Sequence, residues 1–279
     1  MHPAFVAFPA QELMMLRITS TLVVSLGLLV PSAATVSAQS ETMMYDHVHL
    51  AVPEPATAAA WYSRHFGGDP VDGRPDRTLI GVTRFIFRQE ANARPSEGGS
   101  VDHLGFSVMD LNAKLRELEA DGATITTSRR EVDGLFPISF VVDPWGVRLE
   151  IIEDPQHLGF HHIHLRTPDV EATMQAYLNI FGGVRTPMRG SRDAILYPGN
   201  VWLMFTNGEG FQTSGSAIDH LGWRALDLIP KMNEMISKGA TVTRGPNDLT
   251  FENGMIHIYF IDGPRNVTIE IVQRARNMR

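Results

Sequence analysis

The chain repeats itself, and that limits what it can fold into. The stretch Val101-Asp102-His103-Leu104-Gly105-Phe106 returns as Ile218-Asp219-His220-Leu221-Gly222-Trp223. Tyr62, Phe66, Gly67 and Gly68 have counterparts in Tyr177, Phe181, Gly182 and Gly183, and Gly122-Ala123-Thr124 in Gly239-Ala240-Thr241. His47 and His49 are matched by His162 and His164. The offset is 115 residues from His47 to His162 and 117 from His103 to His220. A fixed period of this kind marks a duplicated unit. The boundaries follow: 45–153 is one copy, 160–273 the second, and 154–159, with Pro155, the linker.

Each copy divides again. A strand carrying His47 leads into a helix over about 55–66, and a strand carrying His103 into a helix over about 110–121. In the second helix Leu111, Leu115 and Leu118 fall on one face, Asp110 is a natural N-cap and Gly122 a natural C-terminal stop. Runs of Val, Ile, Phe and Thr broken by Gly, Pro and Asp follow each helix and predict strands joined by hairpins. The unit is strand–helix–strands, used four times, and the fold class is α+β.

Composition excludes several functions. A net charge of -7 with no basic run argues against a nucleic-acid partner, and the absence of cysteine excludes disulfides, thiolate metal ligands and a thiol nucleophile. Arg17, the apolar run Leu22–Val30 and the small residues Val36-Ser37-Ala38 predict a signal peptide, residues 1–38, cut after Ala38. No later segment is apolar enough to span a bilayer. The expectation is an exported, periplasmic protein without stable membrane insertion after cleavage, acting on a small molecule, with an oligomer left open.

Side chains alternate across a strand. Val48 and Leu50 therefore oppose His47 and His49, Leu104 and Phe106 oppose His103, and Leu149 and Ile151 oppose Glu150. The second copy repeats this with His162, His164, His220 and Glu270. Two imidazoles and a carboxylate from three strands make a facial triad that leaves metal positions open. The alternative is polar residues on the solvated face of a sheet.

These segments, with Asp143-Pro144-Trp145-Gly146 before Glu150 and Asp262-Gly263-Pro264 before Glu270, resemble the vicinal oxygen chelate superfamily. Its members include glyoxalase I, extradiol dioxygenases, an epimerase and the fosfomycin and bleomycin resistance proteins. The resemblance implies two tandem domains, each of paired βαβββ modules forming a cupped, barrel-like mixed sheet with helices outside. By position it puts metal ligands on His47, His103 and Glu150, and on His162, His220 and Glu270. His49 and His164 become groups around the ligands, substrate contacts or polar lining.

Two departures matter. The glutamate that glyoxalase I-like members carry on the last strand of the first half-domain is missing from Arg84–Arg88 and Val201–Phe205, which counts against a glyoxalase-type lyase. One extra residue also precedes Glu270: Asp262 to Glu270 spans 8 positions against 7 from Asp143 to Glu150. Extradiol dioxygenases have a tyrosine on the strand before this turn, which suggests His257 and Tyr259 as catalytic groups. The implied activity is a metal-dependent, ring-cleaving dioxygenase using Fe(II) or Mn(II), with Zn or Ni open. A glyoxalase- or epimerase-type lyase or isomerase is the alternative, and a non-catalytic small-molecule binder the third reading.

Overall fold

Each quarter of the chain folds as one strand, one helix and three strands. The computed structural model describes residues 41–71, 73–190, 192–251 and 254–275; the expected signal peptide, 1–38, lies outside them. The first module is β1 (Met44–Val52), α1 (Pro55–Phe66), β2 (Asp69–Pro70), β3 (Arg77–Ile80) and β4 (Thr83–Gln89). The second is β5 (Val101–Ser107), α2 (Leu111–Ala120), β6 (Thr124–Arg130), β7 (Ile138–Val142) and β8 (Arg148–Ile152). The third is β9 (Gly159–Thr167), α3 (Val170–Phe181), β10 (Val184–Met188), β11 (Arg192–Tyr197) and β12 (Val201–Asn207). The fourth is β13 (Ile218–Arg224), α4 (Leu228–Ser237), β14 (Thr241–Phe251), β15 (Gly254–Gly263) and β16 (Val267–Arg274).

Local chemistry explains the helix starts. Asp110 and Asp169 lie in extended backbone, and their carboxylates accept the amides of Ala113 and Ala172, filling donors that a helix N-terminus leaves open. Pro55 begins α1, where its missing N–H costs nothing. Leu111, Leu115 and Leu118 are buried as the spacing predicts. Among the described residues no helix is long and apolar enough to cross a membrane.

The strands form two eight-stranded mixed sheets, in the orders β14-β15-β16-β13-β1-β4-β3-β2 and β10-β11-β12-β9-β5-β8-β7-β6. The first and fourth modules therefore share one sheet, and the second and third share the other. The expected domains, 45–153 and 160–273, each contribute half of each sheet, so neither copy closes a cup by itself. The connections account for this. β8 runs parallel to β5 on one side, and β9 antiparallel to β5 on the other. The short link 153–158 only has to cross β5, which docks the third module on the second. The first and fourth modules are left to meet through the antiparallel pair β1–β13. One continuous core joins all four modules, with Tyr45, Tyr62, Phe85, Phe106, Tyr177 and Trp223 fully buried in it.

Candidate metal centres

At the seam β1–β13, His49 lies directly opposite His220, and on the next strand Glu270 pairs with Gly222. The Glu270 Oε2 atom is 3.3 Å from His220 Nε2 and 3.7 Å from His47 Nε2, and the His49 and His220 rings stack at 4.0 Å. Across the second seam, His103 lies opposite His164. Glu150 Oε2 accepts from His103 Nε2 at 3.0 Å and from His162 Nε2 at 3.1 Å. In each cluster the four donor atoms, from His47, His49, His220 and Glu270 or from His103, His162, His164 and Glu150, lie within 4.8 Å of one another.

The residue before His47, His103, His162 and His220 is set by a bulge. Pairing at the seams skips Asp46, Asp219, Asp102 and His161, one residue at each of four register shifts. A bulged residue escapes strict alternation, so each of these side chains can turn to the histidine next to it. His47 Nδ1 donates to Asp46 at 2.8 Å, His220 Nδ1 to Asp219 at 2.6 Å and His103 Nδ1 to Asp102 at 2.7 Å. His162 Nδ1 meets His161 Nδ1 at 2.9 Å instead. Such partners fix ring orientation and tautomer, and in the three carboxylate cases they leave Nε2 to face the cluster.

Glycine makes room for two of the rings. A Cβ on Gly222 would lie 2.1 Å from His47 Cε1, and one on Gly105 would lie 2.0 Å from His162 Cε1. The glycine of the repeated Asp-His-Leu-Gly stretch thus belongs to the histidine of the other module in its sheet.

The surroundings differ between the cups. Asp46 is buried and held by Arg224 Nε at 2.7 Å and Arg274 Nε at 3.0 Å, with Arg84 Nη1 at 3.7 Å. In the second cup His161 stands where Asp46 does, and Asp154 where Arg274 does, 3.9 Å from His161 Nε2. The Phe260 and Phe140 rings pack edge-to-face with His220 and His103, at 5.3 and 5.2 Å.

Burial pulls the His220 and His103 pKa values down, but their hydrogen bonds to the adjacent aspartate and to Glu270 or Glu150 outweigh it and raise both. Burial pushes the two glutamates up, and the facing imidazoles bring both well below the usual range. Burial, reinforced by the neighbouring imidazoles, holds His49 and His164 well below the ordinary histidine value, and drives His161 down to about 2. A proton held between imidazole and carboxylate stands where a divalent cation can stand. His47 Nε2, His49 Nδ1 and both ring nitrogens of His164 are buried without a hydrogen-bond partner, which is costly unless something else engages them. Three imidazoles and one carboxylate suit a divalent transition metal, so the residues present fit one.

The structure corrects the expected groupings. His47 does not converge with His103 and Glu150, nor His162 with His220 and Glu270, because the modules pair one with four and two with three. His49 and His164 stand inside the clusters. His257 and Tyr259 do not reach the cup: His257 donates to Asp248 at 2.7 Å on the outer face, and Tyr259 packs on the core. Phe260 is the residue opposite Glu270, as Phe140 is opposite Glu150. Val142 pairs with Arg148 and Asp262 with Thr268, so the two turns are equally long; Asp262 stands at the register position of Val142, and alignment through Asp143 and Asp262 shifts β15 by one and picks the wrong face. The Asp-His dipeptides were the available signal for Asp46, Asp102 and Asp219; period-two reasoning hid it.

Residues 45–151 match the model of the Glyoxalase/Bleomycin resistance protein/Dioxygenase superfamily. Glyoxalase I from Zea mays is 17% identical, with 84% of this chain and 93% of that one covered and a TM-score of 0.65. A candidate dioxygenase from Bacillus subtilis is 19% identical, with 84% and 86% covered and a TM-score of 0.61. At these identities the likeness is one of fold. No curated protein matches the sequence.

Proposed function

Because residues 45–151 belong to the glyoxalase/bleomycin resistance protein/dioxygenase superfamily, we propose that the protein is a metal-dependent enzyme acting on a small oxygen-rich molecule, most like a ring-cleaving dioxygenase. The observation that carries this reading is the meeting of three histidines and one glutamate at the floor of each cup. His47, His220 and Glu270, with His49, would hold one divalent ion, and His103, His162 and Glu150, with His164, the other. Fe(II) or Mn(II) is favoured, with Zn or Ni open. A bound ion would supply Lewis-acid chemistry, holding two neighbouring substrate oxygens and stabilising developing negative charge.

The chain's own contribution is orientation and exclusion of water. Asp46 and Asp219 hold the His47 and His220 rings with Nε2 inward. Phe260, packed with Ile256, Ile258 and Val272, makes an apolar wall beside them. The first cup opens into a cavity of about 410 Å³ that reaches His220, within the range of small-molecule sites.

One observation favours a second reading, a glyoxalase- or epimerase-type lyase or isomerase. His49 stacks on His220 and its buried Nδ1 has no hydrogen-bond partner. A neutral imidazole so placed can take a proton from a bound substrate. The test is metal analysis followed by oxygen uptake with a panel of catechols. Stoichiometric metal and catechol-dependent uptake support the dioxygenase; metal without uptake turns the reading to proton transfer; a chain that takes up no metal sinks both. We also propose export, on the N-terminal pattern; N-terminal sequencing of the mature protein should find Gln39 first.

A further inference from the structure

The two cups share a floor and differ in their walls. Strand register makes the comparison residue by residue. Arg84 is paired with His47, and Trp202 with His162. Arg77 is paired with Ile86 one strand out, where the second cup has Ala194 on the strand beside Met204. Arg88 lies opposite Ala51, and its counterpart Thr206 opposite Arg166. Arg244 is paired with Phe260, and Thr127 with Phe140. Four arginines of the first cup thus correspond to tryptophan, alanine and two threonines. The second cup builds an apolar cluster from Trp202, Met204, Met188, Phe136 and Ile138 instead.

The first cup's arginines differ in what they hold. Arg77 pairs with Asp76 at 3.1 Å, Arg84 faces Asp46, and Arg88 donates to Asp219 at 3.0 Å. Arg244 sits over the Phe260 ring, its guanidinium carbon 3.8 Å from the ring centre, and among the described residues no carboxylate comes within ion-pair distance of it. The second cup also has an arginine on its phenylalanine, Arg148 at 4.1 Å from Phe140, but that one is bound to Asp102. Arg244 and His220 line the same cavity, with Phe260 between them. The guanidinium can be no farther from the His220 ring than the two ring separations laid end to end, which a chain of a few carbons spans. A planar fork of donors, held on an aromatic face, is matched by a planar carboxylate.

We infer that the first cup takes a small dianionic chelator, one end engaging the His47–His220–Glu270 cluster through two neighbouring oxygens and the other giving a carboxylate to Arg244. This rests on the metal reading above and adds the substrate class to it.

A matched pair of probes tests it. 2-Oxoglutarate and 2-oxopentanoate share the chelating 2-oxo acid end, and differ in whether the far end is a carboxylate or a methyl. Binding is measured by titration calorimetry on the full chain loaded with manganese(II), carrying His162→Ala so that the first cup alone reports. The expected result is a preference for 2-oxoglutarate of about 10-fold or more, the worth of a charged hydrogen bond. Arg244→Gln, a change at an exposed position, should abolish that preference by weakening 2-oxoglutarate while 2-oxopentanoate keeps its affinity. Equal affinity for the two probes, or a preference that survives in Arg244→Gln, overturns the inference. Repeating the titration after chelator treatment separates the two claims: 2-oxopentanoate binding that ignores metal removal counts against the metal reading, whatever Arg244 does.

Discussion

Gly222 offers a sharp test of which histidine belongs to which cup. An alanine there would set its Cβ 2.1 Å from His47 Cε1 and 2.3 Å from Nε2, where ordinary contacts begin at 3.4 Å. The ring must move by more than an ångström, and His47 is fully buried, with Asp46 fixed behind it. Two costs follow. Overpacking should lower stability by about 1–3 kcal/mol. Loss of the Asp46–His47 alignment should weaken the first metal site by at least the roughly 10–100-fold seen when a ligand's supporting partner is disturbed. The second site, built from other strands, should not respond. The assay is a competition titration with a chromogenic chelator on chelator-stripped protein, alongside circular dichroism to confirm folding. Wild type should bind two equivalents of metal, and folded Gly222→Ala one tightly, with Gly105→Ala losing the other. A folded Gly222→Ala protein that binds both equivalents with unchanged affinity would refute the placement of His47 against β13.

Other outcomes follow from the same geometry. Asp46→Asn would leave Arg84, Arg224 and Arg274 around a neutral amide, and thermal or urea unfolding should show a loss of about 3–5 kcal/mol. Burial works against the Asp46 charge, but its partners hold the folded-state pKa well below the usual value. Its stabilisation is therefore complete above about pH 4 and is lost as pH falls through the depressed value; acid unfolding of Asp46→Asn should lack that component. Because the His220 and His103 pKa values are raised, metal must displace protons there. Affinity should fall with falling pH, by about tenfold per unit for each proton displaced, in competition titrations between about pH 8 and 5.5. His49→Ala should reduce affinity at the first site without changing the number of sites.

Much of this was legible in the chain. The repeat gave four modules, the leucine spacing of α2 its buried face, and alternation the inward histidines and glutamates. Pairing between modules was not legible, because it depends on where the short link 153–158 lets β9 return, a matter of sheet order that periodicity does not encode. The Asp46, Asp102, Asp219 and His161 contacts depend on bulges, which break the alternation used to read the strands. His257 and Tyr259 fall on the other face for a related reason: Asp262 stands at the register position of Val142 rather than Asp143, and a slip of one residue exchanges the faces of a strand. The arginines of the first cup were in plain view, but each gained meaning only when register set it beside Trp202, Ala194, Thr206 or Thr127.

Counting bound metal in paired variants tests the central claim most directly. His47→Ala combined with His220→Ala strikes one cup twice, so the folded double variant should keep one equivalent. His47→Ala combined with His103→Ala strikes both cups and should keep none. The opposite pattern, none retained in the first pair and one in the second, would mean that each repeat binds its own ion and that the module pairing described above is wrong.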